Sequence, residues 1–316
     1  MRIVITGGSG FIGSHLCDRY LAAGHVVLAL DNFCTGSPDN TKHLRRHPLF
    51  SLMECDVSEG LPVEGEVDRV LHLASPANPK GYQEIPLATL KAGSLATFHC
   101  AELARKTGAR LLLASTSEVY GDPLEHPQRE SYWGHVNPVG VRSVYDEAKR
   151  FSESVLMAYH RQYGMETRIA RIFNTYGPRM LPDDGRVLPE FFKQALQGNP
   201  LTIYGDGSRT RSFCYVSDLV EGLMRLLESD TPEPVNLGNP VEISMEELAH
   251  EVLELTGSRS TLQYMPARDD DPQRRCPDIT LARRLLGWEP QVPRAAGLLA
   301  TYQYFQETTS APGLMP

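Results

Sequence analysis

The chain has little that would suit it to a membrane, to nucleic acid or to an oxidising compartment. No apolar run approaches the ~20 residues that a helix needs to cross a bilayer. Its 31 Lys and Arg stand against 39 Asp and Glu, a formal net charge of -8, which is the wrong sign for a nucleic-acid surface. An anionic ligand must therefore meet a local cluster of cations. The 6 cysteines (Cys17, Cys34, Cys55, Cys100, Cys214 and Cys276) contain no C-x-x-C pair. Zinc and a disulfide framework are thereby disfavoured, no metal site is expected, and a reducing cytoplasm suits the chain. A strand is expected from Arg2 onward, so no signal peptide is expected. Internal repeats are absent as well.

What is present is a globular pattern of 316 residues, 41% of them hydrophobic, long enough for one large domain or two small ones. Apolar or β-branched runs at 3–5, 26–30, 50–53, 70–73, 111–114 and 167–172 read as short strands. Helical periodicity falls between most of them, at 11–22, 87–106 and 146–163. Strands that are apolar almost throughout, alternating with helices, imply a parallel sheet covered on both faces. The expected class is α/β: a doubly wound Rossmann domain over residues 1–175, then a smaller substrate domain over 176–307. Glycine- and proline-rich connections mark the second part, with helices at 187–197 and 245–255, and a flexible tail is expected over 308–316.

Gly7, Gly10 and Gly13 stand between the first apolar run and the first helix. A buried strand, a glycine turn and a helix start make a pyrophosphate cradle. Glycine lets the backbone approach the phosphates, and the helix N-terminus offers free N–H groups. Asp31 closes the next apolar run, where a carboxylate accepts hydrogen bonds from a ribose 2′-hydroxyl and repels a 2′-phosphate. The pattern points to NAD rather than NADP. A capping loop beside a solvated acid is the plainer alternative.

Tyr145 and Lys149 are four apart and project from one helix face. A free tyrosine, with a pKa near ~10, is a poor base at neutral pH. A nearby ammonium is expected to favour the phenolate and to hold the nicotinamide ribose. Thr116, at the end of the fifth run, can bind the same substrate oxygen. Without it, the tyrosine–lysine spacing is common on solvated helices.

Together these features resemble the extended short-chain dehydrogenase/reductase family, which acts on nucleotide sugars. The resemblance runs from the glycine turn to Leu286-Gly-Trp-Glu-Pro290. Longer strings resemble the branch of that family that decarboxylates UDP-glucuronate. They include Ala114-Ser-Thr-Ser-Glu-Val-Tyr-Gly121, Ala170-Arg-Ile-Phe-Asn-Thr-Tyr-Gly-Pro-Arg179, Arg211-Ser-Phe-Cys-Tyr-Val-Ser-Asp218 and Asp270-Asp-Pro-Gln-Arg-Arg275. The resemblance implies NAD held by Gly7, Gly10, Phe11, Ile12, Gly13, Asp31, Asn32, Asp56, Val57, Leu73, Ser75, Tyr145 and Lys149. It implies a substrate, UDP-glucuronate or a related nucleotide sugar, held by Ser117, Asn174, Arg186, Arg211 and Arg275. The catalytic set would be Thr116, Glu118, Tyr145, Lys149 and Arg275, in a homodimer built from the 87–106 and 146–163 helices.

Oxidation at C4 puts a ketone β to the C5 carboxylate, and such an acid loses carbon dioxide readily. Tyr145 would then be the base, while Glu118 and Arg275 would serve C5 by orienting a water or donating a proton. The alternatives are a UDP-sugar 4-epimerase, a dTDP-hexose 4,6-dehydratase and a non-catalytic NAD-binding scaffold. The dehydratase wants an Asp-Glu pair where this chain has Ser117-Glu118. Two departures from the family pattern stand out. Ala92-Gly93 replaces a common Thr-Asn facing the cofactor, and Cys276 replaces a common Lys.

Overall fold

The computed structural model describes residues 1–267 and 274–309. The first half contains strands β1 (Arg2–Thr6), β2 (Val26–Asp31), β3 (Phe50–Glu54), β4 (Arg69–His72), β5 (Arg110–Thr116) and β6 (Thr167–Ile172). With them come helices α1 (Phe11–Ala22), α2 (Pro79–Glu84), α3 (Pro86–Gly93), α4 (Leu95–Thr107) and α5 (Ser143–Tyr163). Further along lie β7 (Thr175–Tyr176), α6 (Val187–Gln197), β8 (Leu201–Tyr204), β9 (Thr210–Ser212), β10 (Cys214–Tyr215), α7 (Val216–Glu228) and β11 (Pro234–Leu237). The last elements are β12 (Glu242–Ser244), α8 (Met245–Thr256), β13 (Leu262–Met265), β14 (Arg274–Arg275), α9 (Thr280–Leu286) and α10 (Arg294–Thr309).

Seven strands form one sheet in the order β11-β6-β5-β4-β1-β2-β3, with parallel pairing throughout. The order reverses between β1 and β4, and a ligand crevice opens beyond the strand ends at such a switch point. Side-chain alternation splits the core between the two faces. Ile3 and Ile5 pack with Leu16 of α1 and Leu223 of α7, while Val4 packs with Ala96, Cys100 and Ala104 of α4. The expected boundary near 175 is crossed by the chain, because α7 and β11 return to the large sheet. The three small sheets, β10-β7, β12-β9-β14 and β13-β8, draw on strands from β7 onward.

The helix expected over 87–106 is two helices that break at Ser94, where φ is -110° and ψ -81°. Side chains divert the carbonyl of Gly93, which accepts from Ser152 Oγ at 2.6 Å and Thr97 Oγ1 at 3.0 Å. A Cβ at residue 93 would stand 2.5 Å from Ala148 Cβ, so glycine is what lets α3 lie against α5. Helix α5 itself begins a turn earlier than expected, at Ser143. The tail expected over 308–316 falls beyond the described residues after Thr309, as does the stretch Asp270 to Gln273 of the last family-like string.

Candidate active site

The loops that follow β1, β4, β5 and β6 converge on a cleft of about 970 Å³. Its first wall holds Gly7, Gly10, Phe11, Ile12, Gly13, Leu73 and Ser75. Gly10 caps α1, and a Cβ at Gly13 would fall 2.1 Å from the Gly7 carbonyl oxygen, so the turn closes only on bare backbone. The opposite wall holds Thr116, Ser117, Glu118, Tyr145, Lys149, Asn174, Arg186, Arg211 and Arg275. Four expected cofactor residues lie outside this lining, at the ends of β2 and β3. There Asp31 accepts from the backbone of Ser9 and Phe33 at 2.9 Å, Asn32 donates to Asp56 at 3.2 Å, and Val57 is buried. Burial raises the Asp31 carboxyl above its usual range, against the pull of those N–H groups.

This wall fits NAD. A glycine turn runs into a helix N-terminus, an acid closes β2, and Ser75 Oγ is a buried hydroxyl with no hydrogen-bond partner. His72, which sits beneath it, is fully enclosed between Thr6 and Thr97 at 2.8 and 3.3 Å and is kept neutral by burial. It is a packed strand residue.

The tyrosine–lysine pair departs from expectation in one respect. Tyr145 is buried and stacks on Tyr82, with ring centroids 5.3 Å apart and planes inclined by 6°. Burial raises its pKa, and the hydrogen bond with Thr116 is the main opposing influence. The Lys149 ammonium is not among the main influences on it. Lys149 is buried too, with Nζ donating to the Ala114 carbonyl at 2.8 Å and lying 5.9 Å from the Tyr145 ring centroid. Desolvation brings the lysine down to about 8, and Glu153 one turn along α5 opposes that fall. Neutral phenol and ammonium are thus the resting forms at pH 7.

Glu118 follows the Thr116 hydroxyl, which accepts from its N–H at 3.2 Å. One carboxylate oxygen accepts from Arg142 Nη2 at 2.6 Å and the other from Arg275 Nη1. Burial would push this carboxyl up, but the charges of Arg275 and Arg142 overcome it and hold it well below the usual range. Glu118 is therefore an acceptor here. Of the two roles expected of it, orienting a water fits and donating a proton does not. Arg275 Nε is buried without a hydrogen-bond partner. Two guanidinium groups thus converge on one carboxylate at this end of the cleft.

Parallel pairing of β14 with β9 sets Arg275 opposite Arg211, bringing two cations that are remote in sequence to one wall. Arg186 faces the cleft, but its guanidinium is held by Asp184 at 2.5–2.7 Å and lies 5.8 Å from the Phe11 ring centroid. Cys276 is buried, with its thiol toward the Pro240 carbonyl at 3.3 Å, so the residue next to Arg275 brings no charge. Sequence reasoning missed Arg142, the N-cap of α5, and Tyr82 under the tyrosine ring. It also missed Arg179, which lines the cleft with Nη1 buried and without a hydrogen-bond partner. Only Arg179 carried a signal, as the end of a family-like string.

Comparison with known proteins agrees with this geometry. Residues 3–238 match the model of the NAD dependent epimerase/dehydratase family. The chain is 55% identical over 304 residues to UDP-glucuronic acid decarboxylase 1 of Danio rerio, covering 96% of this chain and 72% of that protein. It is 53% identical over 307 residues to UDP-glucuronic acid decarboxylase 2 of Arabidopsis thaliana, covering 97% and 68%. In structure it resembles the UDP-glucuronic acid 4-epimerase of Bacillus cereus, solved with UDP-glucuronic acid and NAD, with a TM-score of 0.87. That likeness covers 98% of this chain and 100% of the other, at 28% identity.

Proposed function

The chain belongs to the NAD dependent epimerase/dehydratase family, and from that premise we propose that it decarboxylates UDP-glucuronate to UDP-xylose with NAD retained between turnovers. The observation that carries the reading is the placement of Glu118, Arg142 and Arg275 in one cleft with Thr116, Tyr145 and Lys149. An oxidation site and a site for a carboxylate-bearing carbon adjoin each other there.

When bound, NAD supplies a hydride acceptor at C4 and a hydride donor for the later ketone. Thr116 and Tyr145 bind the C4 oxygen; the phenol of Tyr145 first yields its own proton to solvent, and as phenolate it then takes the proton of the C4 hydroxyl. A general base of this kind is worth roughly 10²–10⁴ in rate. Lys149 holds its charge beside the tyrosine and is placed to bind the nicotinamide ribose. Arg275 meets the C5 carboxylate with a guanidinium fork, and Arg211 and Arg179 are placed for the diphosphate. Decarboxylation to UDP-xylose takes up one proton overall. Glu118, fixed as an acceptor, orients the water that relays this proton from solvent to C5. Tyr145 returns the C4 proton when the ketone is reduced.

Two lesser parts of the reading rest on the surface and on composition. Leu87 and Leu90 of α3, Leu95 and Phe98 of α4, and Phe151 of α5 are exposed, and they fit a two-fold four-helix contact in a homodimer. All 6 cysteines are free, which suits the cytoplasm. The test of the activity is incubation of the purified protein with UDP-glucuronate in heavy water, with carbon dioxide and deuterium at C5 both measured. Carbon dioxide release with one deuteron at C5 is expected. Conversion to UDP-galacturonate without carbon dioxide would replace this reading with a 4-epimerase.

A further inference from the structure

We propose that Arg142 is a positioning residue of this active site, which fixes Glu118 as a carboxylate turned toward Arg275 and ties it to the helix that carries Tyr145. The inference rests on the decarboxylase reading above. Arg142 is the N-cap of α5, and its carbonyl accepts the N–H groups of Tyr145 at 3.0 Å and Asp146 at 3.1 Å. Its guanidinium reaches across to Glu118 at 2.6 Å, on the turn that follows Thr116. One residue thus joins the segment that bears the base at C4 to the one that bears the water-orienting carboxylate at C5. Removing it leaves the backbone link to Tyr145 intact and frees one oxygen of a carboxylate whose side chain is only 15% exposed.

Among the described residues, the groups that face Glu118 are Arg142, Tyr145 and Asp146 from α5, Tyr82 from α2 and Arg275 from β14. Burial and the Glu118 charge raise Asp146, one of whose oxygens is buried with no hydrogen-bond partner, so it contributes little negative charge near neutral pH. Of the two described guanidinium groups that oppose the desolvation of Glu118, removing Arg142 leaves Arg275. Without Arg142 the carboxyl moves up. The ionised form, needed to orient the water, is then lost as pH falls through that higher value.

The experiment measures kcat/KM for UDP-xylose formation against pH in wild type, Arg142→Gln, Arg142→Lys, Glu118→Gln and the Arg142→Gln/Glu118→Gln double variant. Arg142→Gln should lower the rate and move the acid limb up by at least one pH unit, toward the ordinary carboxylate range of ~4.3, so that its loss relative to wild type grows as the pH is lowered toward that range. Arg142→Lys should keep the wild-type limb. Because Arg142 acts through Glu118, adding Arg142→Gln to Glu118→Gln should cost no more than about threefold beyond the single change. A uniform drop without a shifted limb, or full additivity in the double variant, overturns the proposal. If Arg142→Gln does not fold, the limb of Arg142→Lys decides in its place, and a shift there refutes the charge argument. Failure of the decarboxylase reading looks different, since wild-type protein would then release no carbon dioxide.

Discussion

Glu153 offers the sharpest test of how the fold supports the chemistry. It forms a two-pronged ion pair with Arg171 of β6, at 3.0 and 2.8 Å, with each side chain 12% exposed. Ser115 of β5 donates to the same carboxylate at 2.6 Å. The pair therefore locks α5 onto the two strands whose ends carry Thr116 and Asn174. Glu153→Gln keeps the shape but leaves Arg171 buried opposite a neutral amide. Breaking a buried pair costs about 3–5 kcal/mol, and the remaining exposure places this one at the lower end, ~3 kcal/mol. For a chain of this size that corresponds to a fall in Tm of roughly 5 °C or more. A second readout is chemical. Glu153 is the charge that opposes the downward shift of Lys149 from its ordinary value to about 8. Its loss lowers the lysine further, and the ammonium is present below its pKa and lost above it. The alkaline limb of kcat/KM should accordingly move to lower pH in Glu153→Gln. Thermal melting by circular dichroism and a pH–rate profile suffice. A Tm within a degree of wild type would refute the structural argument, and an unmoved alkaline limb would refute the electrostatic one.

Other expectations follow from the same geometry. Tyr145→Phe should cost roughly 10²–10⁴ in kcat while NAD and UDP-glucuronate still bind, because the ring keeps its stack on Tyr82; titration by fluorescence separates the two effects. Asp31→Ala should narrow the preference for NAD over NADP by removing a carboxylate that repels a 2′-phosphate, measured as the ratio of the two Kd values. For the proposed homodimer, Phe98→Glu places charge in the apolar face of α3 to α5 and should shift dimers to monomers by light scattering; a wild-type protein that is already monomeric, or a dimer mass unchanged by the substitution, would overturn that proposal.

Much of the fold was legible because its signals are local. The runs that became β1, β2, β4 and β5 are apolar on nearly all consecutive positions, as strands buried on both faces are, whereas β3 at the sheet edge and β6, with Arg168 and Arg171, carry weaker signals; the start of α1 follows from the glycine turn. What was missed depends on partners distant in sequence. At the break before α4 the Gly93 carbonyl takes the hydroxyl of Ser152, 59 residues away on α5, which no periodicity reveals. The raised tyrosine follows from burial, with Tyr82 stacked on its ring, which is a tertiary fact. Arg142 carried no motif, since an arginine before a helix reads as a solvated cap until Glu118 is seen opposite it.

The contact between Gly93 and Ala148 leaves no slack between α3 and α5. A Cβ at 93 would stand 2.5 Å from the Ala148 methyl and also 2.8 and 2.9 Å from its carbonyl oxygen and carbon, so trimming residue 148 to glycine would not make room. The distance between the two helices is therefore set by backbone against backbone, three residues past Tyr145 on α5. A combinatorial library that varies 93 and 148 together should return glycine at 93 whatever stands at 148, and any chain with a side chain at 93 must hold α3 farther from the helix that carries the tyrosine.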